Sequence, residues 1–182
     1  MKIAITGHTE GIGEALAKVY SHHKHEIVGL SRRNGYNIRS LPKCLGLIES
    51  CDMLINNAQT SFAQTELLAL VWERWRGQED KIIMNISTMM TLHSNSTMNE
   101  LSMEVYRVQK IALEEMHWRL RELEGSPKMI LIKPGAIATK SSIALGHGGN
   151  RANTDRWANF IYDILEAALP DLKIPEIAVG PA

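Results

Sequence analysis

Tyr106 and Lys110 stand four residues apart, the spacing that places two side chains one above the other on a helix. A free phenol, with a pKa near ~10, is a poor acid–base catalyst at neutral pH. An ammonium beside it favours the phenolate and lowers that value. The pair therefore predicts a proton donor to a carbonyl oxygen, or a base in the reverse direction. Alone, the pattern fits any surface Tyr–Lys pair on an amphipathic helix. Its weight comes from what surrounds it in order. Upstream are Thr6-Gly7-His8-Thr9-Glu10-Gly11-Ile12-Gly13 and Asn56-Asn57-Ala58; downstream is Pro134-Gly135-Ala136-Ile137-Ala138-Thr139.

Gly7, Gly11 and Gly13 fall between a first strand and a first helix, with Thr9, Glu10 and Ile12 on the same turn. Glycines let the backbone approach phosphates closely, and the helix N-terminus offers free N–H groups and a favourable dipole. This turn is expected to hold the pyrophosphate of a nicotinamide cofactor. The end of the second strand reads Ser31-Arg32-Arg33, with no Asp or Glu to accept a ribose 2′-hydroxyl. An Arg presents a planar fork matched to a phosphate. NADP(H) is therefore the expected cofactor, with NAD(H) as the alternative.

These residues need a scaffold, and strand-like and helix-like segments alternate from end to end. That order predicts a parallel sheet with helices on both faces. Strands are expected at 2–6, 26–30, 52–56, 81–86 and 129–133, with a short one near 36–38 and a final edge strand at 176–179. Helices are expected at 11–21, 41–50, 65–76, 99–124 and 155–169. Pro42 is placed in the first turn of its helix, and a Gly-rich loop at 146–149 precedes the last helix. The longest helix shows an apolar stripe of Leu101, Val105, Val108, Ala112, Met116, Leu120 and Leu123.

At 182 residues the chain reads as one domain, able to bury roughly 70% of its unfolded surface. Lys+Arg and Asp+Glu balance at 20 each, which removes any electrostatic case for nucleic acid or an anionic membrane. No apolar run nears the ~18 residues of a membrane span, and the N-terminus enters a strand at once, unlike a signal peptide. Cys44 and Cys51 lack C-x-x-C spacing, so no disulfide framework is expected. A soluble, cytoplasmic setting follows. His22, His23 and His25 read as a polar turn, since no acidic or Cys cluster accompanies them to make a metal site.

Taken jointly, the four motifs resemble the short-chain dehydrogenase/reductase family, over essentially the whole chain. The resemblance implies a Rossmann fold, a three-layer α/β/α doubly wound sheet, with an NAD(P) cofactor. It implies Tyr106 as catalytic acid/base and Lys110 contacting the nicotinamide ribose while tuning Tyr106. Asn57 and Ala58 would lie beside the cofactor, and Asn37-Ile38 next to the adenine. The segment from Pro134 and Gly135 to Thr139 would run beneath the nicotinamide, with Ile137 near the carboxamide and Thr139 near the pyrophosphate. Dimers or tetramers would form through the helices 65–76 and 99–124, with Leu68, Trp72, Trp75 and Trp118 as candidate anchors.

The departures from the family bear on the chemistry. The family's catalytic hydroxyl corresponds to Thr88 in register, with Ser87 immediately before it, and both remain candidates. The interval from Thr88 to Tyr106 is long for the family, so the loop 89–98 is expected to shape the substrate pocket. Gln59 replaces the usual Gly after Asn57-Ala58. The helix 65–76 lacks the Asn that many members use to hold a proton-relay water, and Gln64, Glu66 or no residue takes its place. Short crossovers around 35–50 and 60–80 imply a small or permissive pocket. The expected function is NADPH-dependent reduction of a small carbonyl or imine substrate. The alternatives are a nucleotide-binding sensor or scaffold without turnover, and an epimerase or dehydratase of the extended branch, for which residues 140–182 leave little room.

Overall fold

The computed structural model describes residues 1–92, 100–144, 150–168 and 174–181. The Gly-rich stretch 146–149, residues 93–98 of the expected pocket loop, and the expected helix ends at 99 and 169 lie outside them.

Six strands form one sheet: β1 (Lys2–Thr6), β2 (Glu26–Leu30), β3 (Met53–Asn56), β4 (Ile82–Ile86), β5 (Lys128–Pro134) and β6 (Glu176–Val179). Their order is β2-β1-β3-β4-β5-β6 and every neighbouring pair is parallel. The interposed helices are α1 (Gly11–His22), α2 (Leu41–Ile48), α3 (Ala63–Trp75), α4 (Leu101–Arg121), α5 (Lys140–Ala144) and α6 (Thr154–Ala168). This is the expected doubly wound α/β/α sandwich. Successive strand residues point to opposite faces, so two cores result. Ile3, Ile5, Met53, Ile55 and Met84 face Leu16, Tyr20, Trp157 and Ile161 of α1 and α6. Ala4, Leu54 and Ile83 face Ile48, Leu67, Val71, Trp75 and Leu113 of α2, α3 and α4. Both faces being covered explains why the strands are nearly continuous apolar runs.

Two expectations are corrected. No strand forms near 36–38; the chain turns instead, Ser40 N–H donating to the Asn37 carbonyl at 2.8 Å and Arg39 N–H to the Asn37 side chain at 3.0 Å. A side-chain acceptor there offers the backbone an alternative to a ladder. The second concerns α4, whose expected apolar stripe is largely turned outward. Leu101 is 81% exposed, and Val105, Val108 and Leu123 are exposed as well. Only Met116 and Leu120 pack against the core. The buried side carries Lys110, Leu113, Glu114 and His117. Among the dimer anchors, Leu68, Trp72 and Trp75 belong to the interior of the chain, with Trp72 Nε1 donating to Ser126 Oγ at 3.1 Å. They cannot anchor a second copy.

The remaining sequence features find local partners. His23 stacks on Tyr162 with ring centroids 4.0 Å apart, and His25 meets Tyr20 edge-on. Cys44 and Cys51 are free and buried. Among the described residues, no helix is long and apolar enough to cross a membrane.

Candidate active site

In a doubly wound sheet, ligands settle at the carboxyl ends of the strands where the winding direction reverses. Here that point lies between β1 and β3. The turn after β1 is held by unusually tight backbone packing. Gly7 adopts φ +70°, and a Cβ on Gly13 would sit 2.4 Å from the Gly7 carbonyl and 2.6 Å from Asn57 Nδ2. Only glycine at both positions lets α1 start this close to the strand. Thr6, which sequence reasoning passed over, ties the two strand ends together. Its buried Oγ1 accepts the N–H groups of Asn57 and Ala58 at 2.8 and 2.9 Å, while Asn57 Nδ2 donates to the Thr6 carbonyl at 2.9 Å.

A crevice of about 360 Å³ opens beside this junction. Gly7, Thr9, Glu10, Asn57 and Ala58 line it from the β1 and β3 side. Ser31, Arg32, Arg33 and Asn37 line it from the end of β2, and Leu30, Tyr36, Ile38, Gln59 and Thr60 complete it. The residues after β2 keep their place through a short 3-10 turn, in which the Ser31 and Asn34 side chains cap one another's backbone. Arg33 is ion-paired with Glu10 across the crevice mouth, whereas Arg32 makes no side-chain bond to another described residue. Gly11, Ile12 and Gly13 lie behind the crevice in the first turn of α1. Thr139 sits against Gly11, its Cγ2 3.1 Å from where a Cβ would be. The run from Pro134 to Thr139 is fixed by a bridge between Ile137 and Ala152 and by Thr154 Oγ1, which donates to the Ala138 carbonyl at 2.9 Å. Gly135 sits apart from the crevice, against Met89 and Gly180.

The candidate reacting groups come together after β4 and in the first half of α4. The Tyr106 phenol lies by Thr88, whose hydroxyl favours the phenolate. Ser87, the other candidate, donates instead to Glu114, so its hydroxyl is turned away from Tyr106. Lys110 is 3% exposed; its Nζ lies 5.6 Å from the centre of the Tyr106 ring and donates to Gln64 Oε1 and the Ile86 carbonyl, both at 2.8 Å. Gln64 Nε2 in turn donates to the Asn56 and Ile86 carbonyls at 2.7 and 3.0 Å. Of the candidates for the missing Asn, then, Gln64 is the one that reaches Lys110. Its signal in the sequence is slight, a polar residue at the start of α3 on the face that the apolar pattern buries. Gln59 bonds Gln109, the neighbour of Lys110, and so joins the crevice wall to α4.

Burial shapes the electrostatics. It pushes the Tyr106 phenol above its ordinary value, the Thr88 hydrogen bond opposing. The lowering expected from Lys110 does not appear, and burial sets the direction. A phenol held protonated at neutral pH is suited to donating a proton. Burial pulls the Lys110 ammonium down to about 7, with Glu114 opposing. That value lies below the ordinary lysine value of 10.5, so between the two the unfolded chain binds more protons than the folded one. Stability should rise with pH across this window, relative to a Lys110→Met variant that lacks the group. Denaturant unfolding of both proteins from about pH 6.5 to 10 measures the difference; parallel curves would refute the assignment.

The fold is a doubly wound α/β/α scaffold with Tyr106, Thr88 and Lys110 gathered at the carboxyl end of its strands. At the level of sequence, no family model and no curated protein matches the chain. In three dimensions solved structures do. Serine dehydrogenase from Escherichia coli superposes with a TM-score of 0.73 at 18% identity, over 100% of this chain and 98% of that one. A short-chain dehydrogenase from Burkholderia cenocepacia J2315, in complex with NADP, gives 0.75 at 14% identity over 100% and 90%. A short-chain dehydrogenase/reductase from Burkholderia phymatum, in complex with NAD, gives 0.70 at 16% identity over 97% and 88%. The chain has the fold of these enzymes.

Proposed function

We propose that the protein is a member of the short-chain dehydrogenase/reductase family that reduces a small carbonyl or imine with NADPH. The observation that carries this reading is Tyr106 beside Thr88 and a fully buried Lys110, in a sheet whose carboxyl-end crevice is lined by Gly7 and Arg32. The residues present fit a nicotinamide dinucleotide. The cramped Gly7–Gly13 turn is the cradle for its pyrophosphate, Arg32 and Arg33 suit a 2′-phosphate, and Asn37 and Ile38 suit the adenine. Lys110 would hold the nicotinamide ribose, and the segment Pro134, Gly135, Ile137 and Thr139 would run beneath the ring. The bound reduced cofactor supplies hydride.

The chain supplies the rest. Thr88 Oγ1 orients the substrate oxygen or nitrogen, and Tyr106 hands it a proton. Lys110, held by Gln64 and Ile86, keeps a cation near the phenol as negative charge develops on it. A phenol that remains protonated at neutral pH is the form that reduction requires. Oxidation of NADPH against a panel of aldehydes, ketones and cyclic imines tests the reading, with NADH in parallel. Tight cofactor binding without turnover across the panel would favour the sensor alternative.

Self-association, as homodimer or homotetramer, belongs to the same proposal but with a changed surface. The exposed apolar side of α4, with Leu101, Val105, Val108 and Ile111, replaces the buried tryptophans as the contact. Val108→Asp should convert a dimer or tetramer to a monomer in light scattering at tens of micromolar. A wild type that is already monomeric there would reject the contact.

A further inference from the structure

A second polar network lies directly beneath the reacting groups, and the mechanism above leaves it without a task. Glu114, one helical turn beyond Lys110 on α4, is 9% exposed. One carboxylate oxygen, Oε1, accepts from Ser87 Oγ and, at 2.8 Å, from Thr91 Oγ1. The other, Oε2, pairs with Lys133 Nζ at 3.0 Å, and Lys133 pairs again with Glu176 at 3.1 Å. Lys133 is itself 5% exposed, on β5 immediately before Pro134.

Burying a carboxylate and an ammonium is costly unless both are paired and their remaining hydrogen-bonding capacity is met. That condition holds here, but an apolar pair would fill the space at least as well for stability alone. What an apolar pair could not do is grip hydroxyls. Ser87 and Thr91 flank Thr88 on either side, and both donate to the same oxygen. Thr91 Oγ1 also approaches the Thr88 carbonyl at 2.8 Å. The turn carrying Thr88 is thereby tied down from below, while the Thr88 hydroxyl accepts from the Met90 N–H at 3.3 Å and lies by Tyr106.

We propose that Glu114 is a positioning residue that sets Thr88 for reaction, by tethering Ser87 and Thr91 from beneath while Lys133 and Glu176 balance its charge. The proposal rests on the reductase reading for its effect on turnover, but its geometric content is independent of any substrate. Through this tether Glu114 acts on Thr88 alone, while its charge separately supports the Lys110 ammonium. Removing the tether should therefore matter in the wild type and cease to matter once the Thr88 hydroxyl is gone.

The test is a double-mutant cycle with two readouts. Glu114→Gln reverses one side of the tether, and Ser87→Ala with Thr91→Val removes both donors while leaving the Glu114–Lys133 pair whole. The second variant keeps the test open if the first fails to fold. Each is made alone and combined with Thr88→Val. The first readout is the ionisation of Tyr106, taken as the ultraviolet phenolate signal lost in Tyr106→Phe. The second is kcat at saturating NADPH. Because a small misplacement of a reacting group costs one to two orders of magnitude, each tether variant should lower kcat by about ten- to a hundredfold. Each should also raise the Tyr106 titration, as Thr88→Val should, and Ser87→Ala with Thr91→Val should leave NADPH affinity unchanged. In the Thr88→Val background both effects of Ser87→Ala with Thr91→Val should vanish, since that variant leaves the Glu114 charge beside Lys110 in place. Additive effects, or an unmoved Tyr106 titration, would overturn the positioning role. A wild type inert toward all carbonyls and imines, yet with a coupled Tyr106 titration, would overturn the reductase reading and leave the positioning role standing.

Discussion

Tyr106→Phe should fold, bind NADPH as the wild type does, and lose about 10²–10⁴-fold in turnover, the usual contribution of general acid–base catalysis. The phenyl ring keeps the packing beneath Lys110 while the transferable proton and the Thr88 hydrogen bond go. The pH profile adds a second check. In the reducing direction the Tyr106 limb of the rate profile should lie in the alkaline range, because burial keeps the phenol protonated, and loss of the Lys110 charge near 7 should add an earlier fall. Reduction by Tyr106→Phe at the wild-type rate would end the mechanism.

Wild type should bind NADPH more tightly than NADH, and Arg32→Asp should reverse the order. Two arginines follow β2, but they are not equivalent. Arg33 is already paired with Glu10, so Arg32 is the fork left facing the crevice. Hydrogen bonds to a charged group contribute roughly 1.5–3 kcal/mol, or about 10- to 100-fold in affinity. A carboxylate in its place would repel a 2′-phosphate and accept from a 2′-hydroxyl. Titration of each reduced cofactor by its fluorescence measures both constants, and equal wild-type affinities would reject the NADP preference. The preference should weaken with salt, since the crevice mouth is open to solvent.

Local pattern was enough for most of the scaffold. Runs such as Ile3-Ala4-Ile5 and Met53-Leu54-Ile55 are buried on both faces and announce themselves as parallel strands. The glycines after β1 likewise marked the crevice, because a turn this tight tolerates little else. What failed were decisions made by distant partners. Residues 36–38 looked like a strand until Asn37 and Gly35 turned the chain. The α4 stripe was a sound periodicity assigned to the wrong side. Lys110, Leu113, Glu114 and His117 recur at i, i+3, i+4 and i+7 as regularly as the apolar set, and a polar stripe at that spacing was the available signal. Gln64, Lys133 and Thr6 meet partners across tens of residues, on strands whose neighbours no local pattern discloses. Ser87 and Thr88 were of this kind, told apart only by which hydroxyl meets Glu114 and which lies by Tyr106.

The reversed polarity of α4 makes the site and the scaffold finish together. An apolar face could settle on a half-formed sheet by hydrophobic attraction alone. The inner face of α4 gains little that way, because Lys110, Glu114 and His117 lose water on docking. Their compensating partners are Gln64 and Ile86 for Lys110, Ser87 and Lys133 for Glu114, and Asn85, whose Nδ2 lies 3.1 Å from His117 Nδ1. Those partners come from α3, β4 and β5, so α4 has a seat only after β5 has joined the sheet. An immature chain would therefore carry a loose catalytic helix, and damage to the chemistry would register as damage to maturation. Screens for variants that fold well would then select, unasked, for an intact reaction centre.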